Sequence, residues 1–343
     1  MRLFLEGENR YAPIEKGKNY NGVDLLKFIC ALLVFIIHIP PFIVEQSICD
    51  KFVNLVLQHC VCRLAVPFFF VSSGFFLFKK MPLYKLDKDI IKIKCFNILR
   101  LLGIWYVLAF AGGTGHLWYL GAMVTAIILL SICLHFRIRL GCIYAIAGVL
   151  YGIGLLGDSY YGIIAPLESV AIIKLIFETY EFVFFTTRNG VFMGFIFVLM
   201  GATFASNKIF IKPRTALIGL VVSLFCLISE FLLLEFHKIP NGHNMYVFLL
   251  PATFFLFSFA TSMELKDHSI YKHLRRIGTL FYFTHLLFIA LTAWAIKTID
   301  KYCGVGLAQY QFILALLLTL SVAILVDWLS HKEKFRWINW IIS

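Results

Sequence analysis

A lysine and a histidine lie in the first long apolar run of this sequence, and both side chains could take part in chemistry. The run starts at Asp24 and continues through Lys27 to His38. On an α-helix this spacing puts Lys27 and His38 on one face, about 16 Å apart along the axis. A titratable side chain inside a membrane usually faces a bundle interior or a water-filled cavity. His38 is therefore the first candidate for a functional residue.

The elements that position such side chains are membrane-spanning helices. The chain has 343 residues, of which 61% are hydrophobic and 15% charged, and its mean hydropathy is +0.87. These values are typical of polytopic membrane proteins. Runs of membrane-spanning length occur at 24–44, 55–78, 91–111, 117–135, 140–157, 189–206, 214–235, 245–263, 277–296 and 308–328. The sequence predicts an all-α membrane bundle of about ten transmembrane helices, with residues 1–343 as one domain.

Lysine and arginine are concentrated in every second loop between these runs. The positive-inside rule then predicts that both termini are cytoplasmic, with a short N-terminal segment (1–20) and a C-terminal tail (330–343). The same rule explains the formal net charge of +12. Because the basic residues form no single patch, we expect the lipid bilayer as a partner and no nucleic acid.

Several polar side chains lie within the apolar runs or, for His116 and Arg188, at their outer ends. They are His38, Arg63, His116, Arg188, Glu230 and His285. In the predicted topology these side chains lie in the middle or outer half of the bilayer, which predicts a polar cavity that opens outward. Simpler interpretations stay open: Lys27 could snorkel to the interface, and Arg63 could be a structural partner of Glu230 or of backbone carbonyls. A single histidine could be only an interhelical hydrogen-bonding group.

The second run contains features that weaken a helix. Pro67 lacks a backbone donor, and Ser72-Ser73-Gly74 follows it. We expect a kink or a break here, which membranes tolerate where the backbone lines a cavity. The alternative is a proline kink without function.

The nine cysteines are scattered along the chain. Cys60-Val-Cys62 has no second pair at a zinc-site spacing, so the cysteines are interpreted as small packing residues. The sequence predicts no metal site.

Four stretches resemble motifs of the acyltransferase-3 family of integral-membrane acyltransferases. They are 22–38, with Lys27 and His38; 63–75, with Val-Pro-Phe-Phe-Phe and Ser-Gly-Phe; His116-Leu-Trp118-Tyr-Leu; and Tyr282-Phe-Thr-His285. The membrane half of the serine racemases looks similar. Lys27 departs from the family, which usually has arginine there. We also find no segment like the SGNH hydrolase domain of some members or the pyridoxal-phosphate domain of the racemases.

The resemblance implies an O-acyltransferase of a bacterial cytoplasmic membrane. It would move an acyl group, usually acetyl from cytoplasmic acetyl-CoA, to a hydroxyl of an extracytoplasmic or lipid-linked glycan. In this interpretation His38 is the general base, because a neutral imidazole can accept the hydroxyl proton near neutral pH. Glu230 would orient an imidazole, and Arg63 would stabilise the oxyanion. Acyl-CoA is a donor substrate, and no permanently bound cofactor is predicted.

Two further groups of side chains follow from the same interpretation. The groups expected to attract the CoA phosphates are Lys27, Lys79 and Lys80. The groups expected to hold the acceptor are His116, Trp118, Arg188 and His285. The positive-inside rule by itself also accounts for the two loop lysines, and Trp118 could instead be an interfacial aromatic anchor.

Two other classes of function remain open at this point. A polar cavity beside a broken helix also suits a transporter of a small polar solute, such as an amino acid. A non-catalytic sensor or assembly scaffold would tolerate the loss of His38.

Overall fold

The computed structural model describes residues 19–184, 186–207, 209, 211–240, 242–304 and 306–342. These described residues form helices and connecting loops without any β-strand, which confirms the all-α fold. Most of the predicted N-terminal segment (1–20) lies outside the described residues.

The α-helices are numbered in chain order over the described ranges. They are α1 (Asn21–His38), α2 (Ile48–His59), α3 (Ala65–Phe78), α4 (Lys88–Leu108), α5 (Trp118–His135), α6 (Leu140–Leu156), α7 (Tyr161–Ile164), α8 (Ala171–Phe184), α9 (Phe195–Asn207), α10 (Pro213–Phe236), α11 (Leu249–Ser262), α12 (Ile270–Cys303), α13 (Gln311–Ser330) and α14 (Ile338–Ile342).

Six helical segments in the described ranges are long and apolar enough to cross a membrane. They are Asn21–His38, Ile48–Phe78, Gly115–His135, Pro213–Phe236, Ile270–Cys303 and Leu307–Ser330. A seventh arises if Leu140–Leu156 and Tyr161–Ser169, which are bent by 80° relative to each other, form one span. Every predicted range contains helix, and the fold is consistent with a membrane helical bundle. The number of ten crossings and the sides of the termini remain predictions.

The second predicted span is interrupted at a different place from the one expected. The helix α2 ends at His59, a 3-10 turn occupies Val61–Leu64, and α3 begins at Ala65. Pro67 lies in the first turn of α3, where the backbone N–H would have no intrahelical partner anyway. The helix α3 therefore continues unbroken to Phe78, and the irregular backbone precedes the proline.

Aromatic packing organises the interior of the bundle. The ring of Phe257 on α11 contacts the rings of Phe68 and Phe75 on α3 and of Phe204 on α9, with centroid distances of 5.7, 5.4 and 5.0 Å. Offset and edge-to-face contacts of this kind add to the energy of close packing. Lipid chains are as apolar as the helices, so the hydrophobic effect does not drive helices together in a membrane. Close packing of this kind therefore holds them together.

The helices α3 and α9 share the most extensive contact between two helices of the described ranges, and a glycine lets their backbones approach. A Cβ atom at Gly201 would lie 2.0 Å from the carbonyl oxygen of Val71. Small residues at such crossings let two backbones approach each other in a membrane. The crossing fixes α3, and with it the 3-10 turn that carries Arg63.

The C-terminal residues also pack against the bundle. The indole of Trp105 donates a hydrogen bond to the carbonyl of Ile341 at 2.9 Å, and Arg276 donates to Oδ1 of Asn339 at 2.7 Å. Both Ile338 and Ile342 are buried. Over its described part, the predicted tail 330–343 is a folded segment that contacts α4 and α12.

Candidate functional site

One cavity of about 240 Å³ collects most of the polar side chains that interrupt the apolar runs. The predicted site residues that line it are His38, Arg63, His116, Trp118 and Arg188. They come from the end of α1, the 3-10 turn before α3, the start of α5 and the loop before α9. The cavity therefore lies at the end of α1 that carries His38, away from Lys27.

Three histidines form a group at this cavity. The ring of His285 lies between those of His38 and His116, with centroid distances of 5.2 and 4.9 Å. His38 is exposed, whereas His116 is 3% exposed and His285 is fully buried. Neither ring nitrogen of His116 has a well-formed hydrogen bond to any described residue.

Tyr282 fixes the two buried histidines. Its hydroxyl donates to the carbonyl of His116 at 2.6 Å, and its own carbonyl lies 2.7 Å from Nδ1 of His285. A carbonyl only accepts, so Nδ1 of His285 carries the proton and Nε2 bears a lone pair in the neutral ring. That Nε2 atom is buried and has no hydrogen-bond partner within the described ranges.

Two arginines converge on one amide oxygen at the cavity. The oxygen is Oδ1 of Asn244, and the guanidinium of Arg63 donates to it at 2.7 Å. Arg188 approaches the same atom at 3.5 Å and lies over the ring of Trp118, 5.6 Å from its centroid. A cation at this distance from an indole face is attracted by the ring. Trp118 thus positions Arg188, in addition to lining the cavity.

A buried carboxylate orients Asn244. Asp158 is 4% exposed and accepts from the Asn244 side chain at 2.8 Å and from its backbone N–H at 3.0 Å. The Asn244 amide must therefore present its NH₂ group to Asp158 and its oxygen to the arginines. A Cβ atom at Gly242 would lie 2.7 Å from the Asp158 carboxylate, so glycine lets this loop approach it.

The charges at the cavity do not balance. The guanidiniums of Arg63 and Arg188 carry two positive charges. The one negative charge beside them belongs to Asp158, which is separated from the arginines by the neutral side chain of Asn244. No described carboxylate lines the cavity itself. In addition, Nε of Arg63 is buried without a hydrogen-bond partner among the described residues. An unsatisfied buried donor is unfavourable by about 1–3 kcal/mol, so this end of the cavity favours an anionic ligand.

Glu230 lies elsewhere and contacts no imidazole in the described structure. Its carboxylate accepts from the Tyr160 hydroxyl at 2.6 Å and from the backbone N–H groups of Val247 and Phe248 at 2.7 and 2.9 Å. These amides precede α11, so Glu230 acts as a carboxylate cap at the start of that helix. The alternative pairing with Arg63 is not formed either, because Arg63 contacts Asn244.

The three predicted donor-binding lysines do not reach the cavity. Lys27 lies over the ring of Phe76, with Nζ 4.5 Å from its centroid, and Lys79 lies over Tyr20 at 4.3 Å. Lys80 is exposed after the end of α3. The role of these lysines remains a prediction.

A second pair of histidines lies behind Arg63. The rings of His59 and His243 are 4.5 Å apart, and Nδ1 of His59 is 3.4 Å from the Arg63 guanidinium. Burial lowers the pKa of His243, against the opposing effect of Glu235. A neutral His243 adds no further positive charge beside Arg63.

Sequence reasoning missed Asp158, Asn244 and Tyr282 as parts of the site. The first two lie in loops between apolar runs, where polar residues are ordinary. Tyr282 belongs to the motif Tyr282-Phe-Thr-His285, in which only the histidine is a candidate by residue type. The only available signal for Asn244 was the polar stretch 241–244 between two spans.

The fold and the cavity together define a polytopic helical membrane protein with a cationic, histidine-rich cavity. An amino-acid racemase of Enterococcus faecalis is 32% identical over 271 residues, which cover 71% of this chain and 36% of that protein. The serine/alanine racemase of Enterococcus gallinarum is 28% identical over 344 residues, or 91% of this chain and 47% of the relative. This chain spans less than half the length of these curated relatives. No protein-family model and no solved structure matches it.

These similarities correct the function expected from the sequence. The relatives are racemases, which are isomerases, so the prediction of an O-acyltransferase that uses acetyl-CoA is wrong. The alternative of a transporter finds no support either. The resemblance to the acyltransferase-3 family is unconfirmed, whereas the similarity to racemases agrees with the comparisons.

The hydrogen bonds of Glu230 generate a prediction about stability. In Glu230→Gln only one oxygen remains, and the new NH₂ group faces a backbone N–H. We expect the free energy of unfolding to fall by about 1–3 kcal/mol, because a buried donor loses its acceptor. Thermal unfolding of the purified protein in detergent measures this. The matched control is Glu235→Gln on the exposed side of the same helix, and equal midpoints for both variants would contradict the capping role.

Proposed function

We propose that this chain is the membrane module of an amino-acid racemase, and that its cavity binds a small neutral amino acid by the carboxylate group. The names of the relatives, amino-acid racemase and serine/alanine racemase, support the class of ligand. The observation that carries the proposal is the cationic end of the cavity, where Arg63 and Arg188 meet at Asn244.

The carboxylate of the ligand would bind at Arg63. Its Nη1 is already engaged by Asn244, while Nε is buried without a described partner. A carboxylate oxygen placed there satisfies the donor and compensates the surplus positive charge. Hydrogen bonds of this charge-assisted kind are among the strong ones in proteins. Arg188 is exposed at the mouth, so it can supply a second contact.

The ammonium group of the ligand would find acceptors among the histidines. Neutral imidazole has one nitrogen that accepts a hydrogen bond. His38 and His116 both line the cavity, and His38 is the exposed one of the two. A cavity of about 240 Å³ holds roughly eight waters of about 30 Å³ each, which suits a molecule as small as serine or alanine.

Binding of radiolabelled L-serine to the purified protein in detergent tests this assignment. We expect unlabelled alanine to displace serine and ethanolamine, which lacks the carboxylate, to fail. In Arg63→Gln the serine affinity should fall at least tenfold, which corresponds to about 1.4 kcal/mol, because the charge-assisted contact is lost. Arg139→Gln, which changes an exposed arginine outside the cavity, is the matched control.

Two results of the binding experiment would overturn the ligand assignment. One is that neither serine nor alanine binds to the wild-type protein. The other is that ethanolamine competes as well as alanine, because recognition would then not depend on a carboxylate.

The link to racemisation has a separate readout. Membranes from cells that produce the chain together with the part of the Enterococcus gallinarum serine/alanine racemase that it does not span are incubated with L-serine, and chiral chromatography follows D-serine. We expect D-serine above the level of membranes without the chain, and less of it with Arg63→Gln. If serine binds but no D-serine forms, the ligand assignment stands and the role in racemisation fails.

We also propose a bacterial cytoplasmic membrane and cytoplasmic termini, supported by the alternation of basic loops. In that topology Cys49 and Cys303, both exposed, lie outside. A membrane-impermeant maleimide should therefore label each of them in intact cells when it is the only cysteine present. A cysteine introduced by Lys266→Cys should react only after permeabilisation. The reverse pattern of labelling would overturn the orientation.

A further inference from the structure

A second group of histidines lies near the start of α12, twelve residues before His285 of the cavity group. His273 in the first turns of α12 faces Asp327 and His331 at the end of α13. One ligand atom from each of these three residues lies within 4.8 Å of the other two. Imidazole nitrogen and carboxylate oxygen are common ligands of divalent transition metals.

Asp327 is held with one carboxylate oxygen turned to the histidines. It is 3% exposed, and its Oδ1 accepts from Nε of Arg276 at 2.6 Å. The other oxygen, Oδ2, lies 2.7 Å from Nδ1 of His273. Partners beyond the ligands commonly fix a metal-binding carboxylate in this way. Arg276 is itself anchored, because it donates to Oγ of Ser330 at 2.6 Å.

The third member is oriented by the backbone. His331 follows Asp327 by one helical turn, and its Nδ1 lies 2.7 Å from the carbonyl oxygen of Asp327. That carbonyl accepts a hydrogen bond from Nδ1–H, so Nε2 carries the lone pair of the neutral ring. A metal-binding histidine typically donates its other ring nitrogen to a carbonyl or carboxylate in this manner.

An open cavity of about 510 Å³ gives access to the group. His273 and His331 both line it, and His331 is exposed. Lys332 lies on the rim with its Nζ 4.7 Å from the ring centroid of Trp328, so its charge is turned towards the indole. An ion can therefore reach the two imidazoles and the buried carboxylate from solvent.

We propose that His273, Asp327 and His331 bind a divalent transition-metal ion, with Zn²⁺ as the best fit to two nitrogen donors and one oxygen donor. Water completes the coordination. At zinc bond lengths two tetrahedral ligand atoms are roughly 3.3 Å apart. The distance between Nδ1 of His273 and Oδ2 of Asp327, now 2.7 Å, must therefore lengthen by about half an ångström. The ion would link α12 to α13 independently of the amino-acid cavity.

The test uses the full chain in detergent, purified without a polyhistidine tag and treated with a chelator. Competition with a chromophoric zinc chelator gives the affinity for Zn²⁺, and elemental analysis gives the stoichiometry. We expect one zinc ion per wild-type chain and at least tenfold weaker binding in His273→Ala and in His331→Ala, because each removes a ligand. The matched control, His135→Ala, changes an exposed histidine at the end of α5 and should bind like the wild type.

Thermal unfolding with and without Zn²⁺ provides the second measurement. An ion that binds only the folded protein raises the unfolding midpoint, so the wild type and His135→Ala should shift upward while the two site variants should not. Unchanged elution from a size-exclusion column shows that the variants are folded. Absence of zinc binding by the wild type, or equal affinity in all four proteins, would show that the group is only a hydrogen-bonded clamp between the helices.

Discussion

The hydrogen bonds between Asp158 and Asn244 are the contact on which the cavity depends. A buried carboxylate must be compensated, and here an amide and its backbone N–H do this instead of a cation. Because the amide turns its NH₂ group to Asp158, its oxygen is left for the two guanidiniums. The carboxylate thus organises the arginines without neutralising them by direct contact. A direct ion pair would have removed the positive charge that an anionic ligand requires.

The scaffold of the membrane helices makes this contact possible. Asp158 follows the end of α6, and Asn244 lies in the loop between α10 and α11. Glu230, on α10, accepts hydrogen bonds from the backbone amides that precede α11. These bonds tie the end of the loop that carries Asn244 to α10. The carbonyl contact at Gly201 brings α3 close to α9, and Arg63 lies on the turn that leads into α3. The site is therefore assembled from helix ends and loops held by a few polar and close-packed contacts.

Hydropathy and loop charge predict much of this arrangement. Each apolar run predicted to cross the membrane contains helix, because burying backbone in lipid demands it. His38 and Arg63 were found because polar groups stand out in apolar runs, and His116 because it immediately precedes the fourth run; all three line one cavity. Asn244 and Asp158 do not stand out in loops. Glu230 does stand out in its apolar run, but hydropathy cannot tell which groups bind a buried charge. Its partners are a tyrosine hydroxyl and two backbone amides rather than an imidazole or Arg63. The function was misassigned because the motifs were interpreted through a resemblance to acyltransferases, whereas the relatives are named racemases.

The buried acidic residues explain why the cavity suits a ligand with its own carboxylate. In the described part of the chain the buried carboxylates belong to Asp24, Asp158, Glu230 and Asp327. Asn244 binds Asp158, backbone amides bind Glu230 and Arg276 binds Asp327, while Arg275 lies 3.5 Å from one oxygen of Asp24. None of them lines the cavity. A ligand that carries only a positive charge would meet two guanidiniums without a counter-ion. The amino acid of the proposed function would carry the missing anion together with an ammonium group, for which neutral imidazoles can act as hydrogen-bond acceptors.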